Sequence, residues 1–160
     1  MKTILLFTAI AFSVSTNAQV TQVSLQASGL TCSMCSNSIN KALTTLDFVL
    51  KVDADIKTYT FKIYFNPNSN VDFDLIKRKV ENAGFSVSGF VATMVFNNVQ
   101  ITNKQAVTIE DKTFLFVNIK DQSLKGAKKV KILDKGFVTP REYKRNAFPQ
   151  SSLRTYHSTL

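Results

Sequence analysis

The order in which the hydrophobic pattern changes period between residues 21 and 91 limits this chain to few folds. Thr21 to Ala27 alternates, with Val23, Leu25 and Ala27 on one face and Gln22, Ser24 and Gln26 on the other, as in a half-buried strand. From Ser33 to Leu46 the apolar positions Cys35, Ile39, Ala42, Leu43 and Leu46 fall on one helical face. Phe48, Leu50, Val52 and Ala54 then alternate, as do Tyr59, Phe61, Ile63 and Phe65, with a turn at Ile56 to Thr58 between them. Asn66-Pro67-Asn68-Ser69-Asn70 breaks the pattern and Asp72 offers an N-cap. Phe73, Ile76, Val80 and Ala83 mark a second helical face, Gly84 suits the helix end, and Phe85 to Val91 reads as a strand. Strand, helix, strand, strand, helix, strand is the split βαβ order, an α+β, ferredoxin-like arrangement with two helices on one face of an antiparallel sheet.

The first strand-to-helix junction, Gly29-Leu30-Thr31-Cys32-Ser33-Met34-Cys35, holds both cysteines of the chain. A helix N-terminus carries partial positive charge and favours thiolate over thiol. Two intervening residues let both sulfurs converge on one ion. Two thiolates suit Cu(I) or another thiophilic ion such as Hg(II). Structural zinc wants four protein ligands, and the chain has no second cysteine pair. Two further readings of the pair stay open: a Cys32–Cys35 disulfide, and a thiol–disulfide oxidoreductase using the same CxxC. Against the latter, Pro67, Pro140 and Pro149 do not fall where a thioredoxin-like unit needs its proline loop. Met34 is expected on the outer surface of the loop. His157, the sole histidine, lies in a tail expected to be loose and is a poor candidate ligand.

Residues 22 to 91 resemble a heavy-metal-associated domain, the family of copper chaperones, copper-ATPase N-terminal modules and the periplasmic mercury-binding protein. The resemblance rests on Gly29-Leu30-Thr31-Cys32-x-x-Cys35, followed by Ile39 and Leu43, Val49 and Val52, and Ala83-Gly84-Phe85. It implies that Cys32 and Cys35 are the metal ligands. It puts Leu30 where the family usually has methionine, as a buried prop for the loop. Phe85 takes a place near the loop where members vary between lysine and aromatics, and it cannot offset the charge of a bis-thiolate cuprous site. Phe48 stands where a glycine is common.

Around this unit the sequence says less. Met1 to Ala18 reads as a secretory signal: Lys2, the apolar run Ile4 to Val14, then small residues up to Ala18. The run is short of the ~20 residues a spanning helix needs, so a periplasmic or secreted protein without an integral span is expected. Gln19 to Thr93 holds seven Lys and Arg against six Asp and Glu; Met94 to Leu160 holds twelve against five. That shift suggests a domain boundary near residue 93, and a fragment ending at Thr93 is expected to keep its metal stoichiometry. Met94 to Ile101, Ala106 to Glu110, Thr113 to Lys120 and Lys128 to Leu133 read as strands, with turns at Asn97-Asn98, Glu110-Asp111-Lys112 and Lys125-Gly126. Gly136-Phe137-Val138 is a further strand candidate and Pro140 to Ala147 a short helix. This β-rich half either folds alone or extends the first sheet. Export argues against nucleic acid as the partner of its lysines; they read as a solvated strand face, or as an attraction to an acidic partner or anionic lipid. No catalytic constellation is present in the sequence. The expectation is a non-enzymatic protein that captures a thiophilic ion, Cu(I) ahead of Hg(II), and either sequesters it or exchanges it with a metal donor or acceptor protein bearing exposed thiolates.

Overall fold

The computed structural model describes residues 18–31, 33–146, 148 and 154–160. Within them, β1 (Ala18–Ser28), α1 (Ser33–Thr44), β2 (Val49–Asp55), β3 (Thr60–Phe65), α2 (Phe73–Asn82) and β4 (Ser86–Ile101) follow the expected order. Their strands lie in the order β2-β3-β1-β4 with antiparallel ladders, which is the ferredoxin-like topology. The inward positions of β1, including Val23, Leu25 and Ala27, meet Ile39 and Leu43 of α1 and Phe73, Ile76 and Val80 of α2 in one core. Asp72 caps α2, its Oδ1 accepting the Leu75 N–H at 2.9 Å. Gly84 turns the chain into β4 at φ +91°, a left-handed conformation that costs glycine nothing.

The second strand does not face as its alternation suggested. Between Val49 and Lys51 the pairing with β3 slips at a bulge, which turns Leu50 outward to 64% exposure. Val49 and Val52 pack against the core instead, with Phe48, whose ring lies 6.0 Å from that of Phe65.

Strand β4 runs through residue 93 without a break, and the sheet continues beyond it. The chain goes on through β5 (Ala106–Ile109), β6 (Lys112–Phe116), β7 (Gln122–Ile132), α3 (Pro140–Asn146) and β8 (Thr155–Thr159). One eight-stranded sheet of order β2-β3-β1-β4-β7-β8-β6-β5 results among the described residues. Two expected turns are absent. Asn97-Asn98 is a bulge inside β4, where Asn98 takes φ +55°, a conformation asparagine tolerates, and the pairing with β7 slips between Phe96 and Val99. Lys125-Gly126 lies opposite that irregularity, within β7. Gly136-Phe137-Val138 forms a turn with one isolated bridge, Lys135 to Val138, rather than a strand.

The C-terminal tail is the largest departure from expectation. Residues 149–153 lie outside the described residues, but Thr155–Thr159 form β8, between β7 and β6 and parallel to β6. Tyr156, His157 and Ser158 are all buried. A strand covered on both faces does not alternate, so periodicity had no signal to give. Tyr156 enters an aromatic cluster with Phe73, Phe90, Phe114 and Phe137, with ring centroids 5.0 to 6.3 Å apart. Arg154, just before β8, grips Asp74 of α2 at 2.7 and 3.0 Å, and the Tyr156 hydroxyl donates to the same carboxylate at 2.9 Å. Burial opposes the charge on Asp74, yet Arg154 and Tyr156 hold its carboxyl below the usual range. The two halves thus share one sheet and one core. The expected leader falls outside the described residues except Ala18, which opens β1, and no helix among those described is long and apolar enough to cross a membrane.

Candidate metal centre

The cysteine loop is placed by three local devices. Gly29 leaves β1 at φ +88°, so the chain turns sharply off the sheet end. Leu30 then tucks into the core at 8% exposure, which anchors the loop as methionine's position in the family implies. Ile39 and Leu43, both fully buried, fix the rotation of α1 and with it the direction of Cys35.

Cys35 sits in the first turn of α1, half-buried and packed against the core. That turn carries no acidic residue, and the positive field of a helix terminus favours a thiolate. Met34 projects outward at 78% exposure, as expected for a side chain on the outside of the loop. Cys32 lies outside the described residues.

Two neighbouring segments reach the same end of the sheet. The Ala27 N–H donates to the Tyr59 carbonyl at 3.0 Å, which brings the β2–β3 turn alongside. Asp55 closes that turn by accepting from the Thr58 hydroxyl and the Lys57 N–H, both at 2.9 Å, and these bonds hold its carboxyl below the ordinary range. Ile56 and Tyr59 leave apolar surface there, 51% and 37% exposed. Ser28 pairs with Ser86, so Phe85 enters the sheet beside the loop, half-buried against the core.

His157 is not brought to this site. It lies in β8, with β7 and β4 between it and β1. Its Nδ1 is 2.7 Å from Asp134 Oδ1, and its ring stacks on Phe148 at 4.3 Å. Among the described residues, no cluster of three or more His, Cys, Asp and Glu side chains is placed to hold a metal.

The model of the heavy-metal-associated domain matches residues 24–86. A probable copper-exporting P-type ATPase of Archaeoglobus fulgidus is 36% identical over 63 residues, which are 39% of this chain and 8% of the ATPase. A probable copper-transporting ATPase of Arabidopsis thaliana is 35% identical over 69 residues, 43% of this chain and 7% of that protein. The chain therefore spans under a tenth of the length of these curated relatives. The solution structure of the yeast copper transporter domain Ccc2a, in apo and Cu(I)-loaded states, is 35% identical and matches 41% of this chain and 88% of that one, with a TM-score of 0.38. The loop after β1, the two helices beneath the sheet and the family match coincide in sequence: residues 24–86 are a heavy-metal-associated domain.

Proposed function

We propose that Cys32 and Cys35 bind one Cu(I) ion as a bis-thiolate and pass it to a protein with exposed thiolates, and that the chain acts in this way as an exported, non-enzymatic carrier. The observation that carries the reading is the position of Cys35: half-buried in the first turn of α1, a turn that carries no acidic residue, where the helix-terminal field favours a thiolate. Two ATPases that match this region are described as a probable copper-exporting and a probable copper-transporting ATPase, which supports copper over other soft ions.

Transfer follows from low coordination. An incoming partner thiolate adds to the two-coordinate ion before one of the original sulfurs leaves, so no bare Cu(I) is released. The exposed Met34, Ile56 and Tyr59 surround the loop with apolar surface that a docking partner can cover. Export rests on the Met1 to Ala18 segment.

Phe85 favours a second reading. A bis-thiolate cuprous site carries a net negative charge that phenylalanine leaves unbalanced, whereas a bis-thiolate mercuric site is neutral and needs no counter-cation. Titration of the reduced protein with each metal against a competing thiol decides between them. The copper reading expects Cu(I) to be held at one per chain under competition. Retention of Hg(II) alone would establish the mercuric reading instead.

A further inference from the structure

The surface that the cysteine chemistry does not use is the outer side of the sheet beyond β4. In β7 the residues alternate about Leu124, Val130 and Ile132, which are buried, and Lys125, Lys129 and Lys131 project from the opposite face. Helix α3 lies on that same side, because Lys131 Nζ meets Glu142 Oε1 at 2.5 Å. Tyr143 anchors the helix over a small second core of Val117, Leu133 and Val138. Arg141, Lys144 and Arg145 of α3 are exposed. Strand β7 carries no carboxylate, and the one carboxylate of α3, Glu142, is held by Lys131.

The result is a basic surface along β7 and α3. Lys125 and Lys131 are separated by nearly 20 Å at ordinary strand rise, so the charges are spread along the strand rather than gathered around one point. Further across the sheet, pairing aligns Lys131 with Val91, Ser24, Lys62 and Asp53 in one row, so the far end of this face is charge-balanced and the excess of cations lies along β7 and α3. Val95, in β4 beside β7, adds exposed apolar surface at 42%. Long basic side chains at wide intervals over an uncovered sheet face match a distributed negative surface, with their stems lying on apolar atoms and their heads reaching outward.

We infer that this face, formed by α3 and the outer side of β7, docks the protein on an anionic phospholipid bilayer. A bilayer supplies negative charge at many lateral positions and demands no matching pattern of carboxylates, which suits cations this widely spaced. Each lysine or arginine near such a surface strengthens binding by about fivefold, and the effect fades with salt. The inference is independent of the metal reading, since the cysteine loop leaves the sheet at the end of β1, two strands away from β7.

The test is sedimentation of the full chain with vesicles of phosphatidylcholine alone and of phosphatidylcholine mixed with phosphatidylglycerol, at low and high salt. The expected result is partition onto the mixed vesicles only, reversed by salt. Lys125→Glu with Arg145→Glu should weaken it by at least about twentyfold, with circular dichroism unchanged because both side chains are exposed. Lys41→Glu with Arg78→Glu, the same charge change on the exposed sides of α1 and α2 beneath the opposite face, should weaken it far less. Equal partition onto neutral vesicles, or equal loss in the Lys41 and Arg78 double variant, would overturn the inference. So would binding to polyglutamate but not to vesicles, which would mark an acidic protein as the partner.

Discussion

The cysteine loop and strand β8 are built in opposite ways. Cys35 is placed by the turn at Gly29, the buried Leu30 and the helix in whose first turn it lies, all close to it in the chain. Strand β8 is placed by residues far from it in the chain: Thr113 to Phe116 on one side, Lys131 and Ile132 on the other, and Asp74 through Arg154. Chemistry here is set locally, while closure of the sheet is set at long range. The site can therefore be lost without the fold, but the fold cannot be cut without consequence.

Removal of everything after Thr93 is the strongest way to break this comparison. It takes away β7 and β8 and strips Phe73 and Phe90 of Phe114, Phe137 and Tyr156. At roughly 2 to 3 kcal/mol per large buried side chain, with a sheet edge opened as well, the loss should exceed about 5 kcal/mol. The expected outcome is a fragment without a cooperative thermal transition; a sharp melt with metal stoichiometry retained would show that residues 19–93 are self-sufficient. At the other region, Cys35→Ser should weaken Cu(I) binding at least about a thousandfold, some 4 kcal/mol, while the melting transition of the metal-free protein barely moves. A large loss of stability in that variant would point to a structural disulfide instead.

Smaller changes sharpen the contrast. Phe85→Lys places a cation beside the loop and should tighten Cu(I) binding by about tenfold, read by chelator competition, with little change for Hg(II). Asp74→Asn probes the long-range side. Because Arg154 and Tyr156 lower the carboxyl's pKa against the cost of burial, its contribution is present above the ordinary carboxylate range and fades as pH falls through the lowered value. The substitution should cost no more than about 1 kcal/mol after solvent screening and flatten the acid limb of the stability profile below about pH 4. An unchanged acid limb would mean that the Arg154 clamp contributes nothing.

The same contrast explains what could be read from the sequence. The ferredoxin-like unit was legible because each element announces itself: alternation in β1, a helical face ending in Leu43, the Asp72 cap, Gly84 at a left-handed turn. The position of Cys35 followed from the same local signals. Bulges were the first failure, since one extra residue at Leu50 or at Asn97-Asn98 reverses a face or imitates a turn while leaving composition unchanged. Strand β8 was the second, because Tyr156, His157 and Ser158 are buried on both faces of the sheet and a lone histidine in a short terminal segment carries no period. The basic face fell between the two. Its lysines were visible in sequence, but only α3 folding onto β7 through Lys131 and Glu142 makes them one surface.

The central claim is the proposal that Cys32 and Cys35 together hold one cuprous ion. Titration of the reduced full chain with Cu(I) against a competing chelator, followed by X-ray absorption at the copper edge, tests it most directly. One ion per chain with two sulfur neighbours is the predicted result. Failure to compete with the chelator, together with a Cys32–Cys35 disulfide that cycles readily between oxidised and reduced forms, would contradict it.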